Sequence, residues 1–139
     1  MNFIAGIVLV QMSMSEFDTF KVLVSLFLQH KYQSIFDFRP EGGFRQLCFQ
    51  LETMIFIHIP EVYRIFKRHR VPVDLFASNW FATLFSNDLA FDIIPNIIDL
   101  YMQAGKPALI KIALTLITII KDNFPLSKLS QDEILMLMS

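Results

Sequence analysis

Between Glu16 and Tyr32 the polar residues Asp18, Lys21, Ser25 and Gln29 recur at helical spacing, while Phe17, Phe20, Leu23, Val24, Phe27 and Leu28 fill much of the remainder. A helix with so narrow a wet stripe must bury most of its circumference. The segment Asn2–Met12 shows even less polar surface. The same period runs through nearly the whole chain, and no stretch alternates as a half-buried strand does. The sequence therefore predicts an all-α fold, an irregular, orthogonal multi-helix bundle of about seven helices.

Breakers divide the pattern. Ser34–Gly43 reads as a loop, with Gly42 and Gly43 as turn residues and Pro40 pushing Arg39 away from helical angles. A helix is expected over about Phe44–His58. Pro60 suits the first turn of the next one, which ends in the basic run Lys67-Arg68-His69-Arg70. Asp74 is a candidate N-cap for Leu75–Ser86, and Asn87 or Asp88 for Leu89–Gln103, where Pro95 should kink or split the helix. Gly105 reads as a helix stop and Pro107 as the start of Ala108–Asp122. Ser130 and Glu133 have the spacing of a capping box ahead of a last apolar run.

The composition limits what such a bundle can do. Of the 139 residues 54% are hydrophobic, fifteen are Phe, and 18% are charged, against about 25% in an ordinary domain. Disorder is excluded by that apolarity. A net charge of −1 provides no footprint for nucleic acid. A membrane span needs about 20 apolar residues in succession. Neither Met1–Ser15, which carries Gln11 and Ser13, nor Ile112–Ile120, between Lys111 and Lys121, reaches that length. The opening also lacks the basic region and cleavage site of a secretory signal. The expected location is cytoplasmic, with the chain free or inside an assembly.

No catalytic or metal-ligating constellation is apparent. Cys48, His30, His58 and His69 show no ligand spacing, and Cys48 sits among Leu47, Phe49 and Leu51 as an inert thiol would. The basic run suits a helix C-terminus, with a phosphate or lipid-headgroup contact as the alternative. Asp99, inside an apolar stretch, is expected to find a buried hydrogen-bond partner or to cap a neighbouring backbone, the alternative being contact with a partner. Trp80 is expected in the core.

Three segments in order, MNFIAGIVL, ASNWFATLFSNDLAFDII and IIDLYMQAGKPALIKIALTLI, resemble the second half of a TBC domain. The resemblance covers about residues 1–124 and rests on Met1, Asn2 and Phe3 with the following Ile-Ala-Gly, on the block containing Ser78 and Trp80, and on Asp99 followed by Gly105. The family usually has Trp where Ile98 stands, and an unbroken helix where Pro95 lies. TBC domains activate GTP hydrolysis by Rab proteins through an Arg from an I-x-x-D-x-x-R motif and a Gln from a Y-x-Q motif. The resemblance implies that both precede this stretch, so that the chain begins just past the glutamine. No catalytic residue is carried over, and no cofactor or metal is implied.

Two functions follow from that resemblance. In the first, residues 1–124 are the C-terminal lobe of a Rab GTPase activator and 125–139 a helical tail. The expected partner is then a Rab-type small GTPase, met across a groove between two lobes. In the second, the lobe is a catalytically dead structural subunit whose partners are other protein chains of a larger assembly. Either way the chain is expected not to act as an enzyme by itself. It should also expose apolar surface, with Ala5 and Gly6 small enough to admit a closely packed neighbour.

Overall fold

The computed structural model describes residues 2–39 and 41–138, without the side chains of Asn2 and Phe3. Among these residues there are eight α-helices and no strand: α1 (Asn2–Gln11), α2 (Glu16–Val24), α3 (Gly43–His58), α4 (Pro60–His69), α5 (Val73–Thr83), α6 (Ile94–Ala104), α7 (Lys106–Asn123) and α8 (Gln131–Leu137). A π-helical turn, Ser25–Gln29, extends α2, and 3-10 turns occupy Tyr32–Phe36 and Leu126–Lys128.

The centre is built on α3 and α7. Leu47, Leu51 and Ile55 recur every four residues on α3, as Leu109, Ala113 and Ile117 do on α7, and all are buried. These i, i+4 ridges lie where the two helices pack together. Helix α5 adds an aromatic column. The Phe66 and Phe76 rings are 5.8 Å apart, Phe76 and Trp80 5.0 Å, and Trp80 and Phe85 5.7 Å. Trp80 is 2% exposed, so it belongs to the core as expected.

Several local expectations need correction. The helix expected over Glu16–Tyr32 stops earlier, because it loosens into the π turn and Lys31 then adopts a left-handed φ of 55°. Asp74 does not cap α5. Pro72 holds that position, and Asp74 lies in the first turn, 3.9 Å from Arg45. Pro95 neither kinks nor splits a helix, since α6 begins at Ile94 and places Pro95 in its first turn, where a missing N–H costs nothing. Asn87 and Asp88 consequently cap nothing.

Between α5 and α6 the chain turns at Leu84 and Phe85, whose φ values are 50° and 61°. Both side chains are fully buried, and that burial holds two non-glycine residues in left-handed geometry. Phe85 N–H closes the end of α5 on the Trp80 carbonyl at 2.8 Å.

The stop at Gly105 holds, with φ 66° and ψ −149°, and Pro107 lies in the first turn of α7. At Ser130 both bonds of the capping box form, Glu133 N–H to the Ser130 hydroxyl at 3.3 Å and Ser130 N–H to the Glu133 carboxylate at 2.7 Å. Ile134 and Met138 of the last segment are buried, and Gln131 donates to the Arg70 carbonyl at 3.0 Å. A Cβ at Gly42 or Gly43 would run into the carbonyl of Asp37 or Ser34, so the loop closes only with glycine there. Gly6, by contrast, is exposed and nothing lies within 4 Å of where its Cβ would be. The expected close neighbour is absent among the described residues. Pro40, expected to steer Arg39, lies outside them.

Candidate interaction surface

Helix α1 packs on α2 and α6, and this layer carries exposed apolar residues. Helix α2 has three faces rather than the two its polar stripe suggested. Thr19 and Leu26 point inward, and Asp18, Lys21, Ser25 and Gln29 form the wet stripe. Phe17, Phe20 and Leu28, at i, i+3 and i+11, form a third face and are 69%, 66% and 62% exposed. The expectation of burial on most sides fails here because no described residue covers that face. Val10 of α1 and Met14 in the α1–α2 turn are exposed as well.

Beside it, α1, α2 and α6 enclose an apolar groove of about 210 Å³ lined by Val8, Met12, Val22, Ile98 and Met102, with Asp99 among the lining residues. Asp99 was expected to be buried against a partner group. It is instead exposed, because Ile94, Ile97, Ile98 and Tyr101 form the inward stripe of α6 and Asp99 falls off it. Among the described residues no hydrogen bond or ion pair engages its carboxylate.

The other signature residues are structural in their surroundings. The Ser78 hydroxyl donates to the Leu75 carbonyl one turn back, at 3.1 Å. Gly105 forms the corner between α6 and α7. Asn2 begins α1, but its side chain, that of Phe3, and all of Met1 lie outside the described residues. Tyr101-Met102-Gln103 spells Y-x-Q by chance. Its tyrosine is buried, donating to the His30 carbonyl at 3.1 Å, and its glutamine is exposed at the end of α6.

Sequence reasoning missed a polar cluster that ties the α5–α6 connection to α5. The Asn79 amide donates to both Asp88 oxygens, at 3.0 and 3.4 Å, and the Asn87 amide donates to the Asn79 oxygen at 2.9 Å. Burial raises the Asp88 carboxyl above the ordinary aspartate value. The only signal in the sequence was that Asn87 and Asp88 lie one loop after Asn79, which reads equally well as a cap. Cys48 is buried, and desolvation pushes its thiol up to about 12. Among the described residues no group of His, Cys, Asp and Glu could hold a metal ion, and no helix is long and apolar enough to cross a membrane.

Residues 1–125 match the family model described as the Rab-GTPase-TBC domain. The chain belongs to that family. An Ecotropic viral integration site 5 ortholog from Drosophila melanogaster is 32% identical over 122 residues, 87% of this chain and 15% of that protein. The Rab GTPase-activating protein eat-17 of Caenorhabditis elegans is 34% identical over 104 residues, 74% of this chain and 11% of that protein. GTPase-activating protein GYP5 of Saccharomyces cerevisiae is 27% identical over 135 residues, 97% of this chain and 15% of that protein. The chain thus spans between 11% and 15% of the length of these relatives.

The expectation of a non-enzymatic chain is overturned by these matches. Two of the relatives are named as GTPase-activating proteins, so the family to which this chain belongs has enzymatic members. The absence of two motifs from a stretch that matches 11–15% of each relative does not exclude that activity.

Proposed function

We propose that this chain supplies the GTPase-facing C-terminal part of a Rab GTPase-activating TBC domain. The α1–α2–α6 layer forms one wall of its groove, and Asp99 reaches the partner. One observation carries the reading. In a member of this family, a signature carboxylate lies exposed and unengaged on an apolar groove instead of being buried against its own fold.

The catalytic arginine and glutamine come from a segment bearing I-x-x-D-x-x-R and Y-x-Q, placed before Asn2 in the family order. The arginine offsets charge developing on the transferred phosphoryl group, and the glutamine orients the attacking water, the former worth about 10³–10⁵-fold. The part described here contributes binding surface and positions α1, whose first residues follow the glutamine in that order.

The test is GTP hydrolysis by a panel of Rab proteins, with this chain alone and joined to a segment carrying the two motifs. The joined protein should accelerate at least one Rab by about 10³-fold or more. Asp99→Ala should weaken that acceleration about ten-fold, the scale of one lost charged contact, while leaving the unfolding midpoint unchanged. Full acceleration by the 139 residues alone would overturn the assignment of the two catalytic residues to a separate segment. Stable capture of another protein with no effect on any Rab would favour the structural-subunit reading.

A further inference from the structure

Helix α4 buries Val62 and Phe66, one turn apart, which places Arg64 and Arg68 together on the outer face. Lys67 points elsewhere and is taken by Glu52 of α3 at 2.7 Å. Arg68 has no hydrogen bond or ion pair among the described residues. Arg64 uses only its Nε, which donates to the Pro60 carbonyl at 3.2 Å. Both arginines border a cleft of about 390 Å³ whose opposite side is the end of α7 and the connection to α8. Lys121 lines that side, 3.2 Å from its neighbour Asp122, and Glu61 lies on the α4 side.

We propose that this cleft binds the phosphate of an anionic lipid headgroup. Two guanidiniums with unused N–H donors and one ammonium converge on a space the size of a small-ligand site. Glu61 and Asp122, the latter paired with Lys121, offset two of the three charges, and the two guanidiniums keep the cleft cationic. The second half of the argument is apolar. Ile65 and Leu126 line the cleft, and Phe124 lines it while remaining 46% exposed. A soluble phosphate would use the cations and gain nothing from the ring. A lipid uses both, the headgroup in the cleft and the aromatic ring at the bilayer interface, where such rings are favoured. The site is separate from the groove of α1, α2 and α6 and does not depend on the GTPase reading.

Flotation of the full chain with phosphatidylcholine vesicles, with or without phosphatidylinositol phosphate, tests this and separates bound protein from aggregates. The chain should float only with the doped vesicles. Arg64→Gln and Arg68→Gln should each weaken binding about five-fold, the effect of one cation near an anionic surface. Glu61→Gln should tighten it, a gain that misfolding cannot imitate. Phe124→Ser should weaken vesicle binding yet leave calorimetric binding of soluble inositol phosphate unchanged. Equal flotation with undoped vesicles, indifference to the arginine variants, or binding of inositol phosphate without any vesicle binding would each overturn the proposal.

Discussion

The Tyr32 hydroxyl donates a 2.6 Å hydrogen bond to the Phe81 carbonyl, joining the turn after α2 to the last turn of α5. The Tyr32 ring stands edge-on to that of Tyr101, 5.3 Å away, and the Tyr101 hydroxyl returns the connection by donating to the His30 carbonyl. Two tyrosines thus fix the α2 layer to α5 and α6. Tyr32→Phe would leave a buried carbonyl without its partner and should cost about 1–3 kcal/mol. Tyr101→Phe should cost less, because its bond is longer at 3.1 Å and less deeply buried. Urea midpoints of the two variants, at unchanged slope, are the measurement. Equal stability of Tyr32→Phe and the parent would show that this bond does not fasten the layer.

The corner at Gly105 makes a separate prediction. Its φ of 66° with ψ −149° is a region that essentially only glycine occupies, yet nothing lies within 4 Å of an added Cβ. The cost of Gly105→Ala is therefore backbone strain alone, about 1–3 kcal/mol. Gly6→Ala, on an exposed turn of α1 with open space around it, should instead stabilise by about 0.5–1 kcal/mol. Thermal melts of the two variants should move in opposite directions.

What the residues disclosed in advance follows a physical divide. Several local rules held: the capping box at Ser130 and Glu133, the stop at Gly105, the Pro60 and Pro107 starts, and burial of Trp80 and Cys48, while the N-caps expected at Asp74 and at Asn87 or Asp88 did not form. The reading failed where distant contacts decide. The Leu84–Phe85 corner has no turn residue to announce it, since its geometry comes from burying two large side chains. Pro95 is compatible with a kink or with a first turn, and the structure has the latter, with α6 starting at Ile94. The third face of α2 was illegible for a different reason. Periodicity shows that Phe17, Phe20 and Leu28 want cover, and it does not say whether this chain provides it.

The state of Cys48 sets its reactivity. Burial lifts the thiol to about 12, with Asp74 adding to the rise. At pH 8 only about one molecule in 10⁴ would carry the thiolate, the form that reacts. Labelling by a thiol reagent should be slow in the folded chain and fast in denaturant. Raising the pH from 8 to 9 should speed folded-state labelling about ten-fold, without the plateau expected of an ordinary thiol near pH 8.5. A plateau there would mean that Cys48 is reached by solvent.

The uncovered face of α2 predicts how the chain behaves in solution. Phe17, Phe20 and Leu28, like Val10 and Met14, each show half or more of their surface, and exposed apolar surface gathered on one helix face marks a contact site or drives association. Lys21 lies 4.0 Å from the centre of the Phe17 ring and 3.5 Å from Asp18, so its charge does little to keep copies apart. Sedimentation of the 139 residues alone should therefore show association that grows with concentration. Phe17→Ser with Phe20→Ser should shift the chain toward monomer while leaving its melting temperature nearly unchanged, because neither ring contributes to the core. A parent chain that stays monomeric throughout would mean that this face is tolerated in water and is not an interface. A double variant that becomes monomeric but melts well below the parent would place those rings in packing that the exposed face does not show.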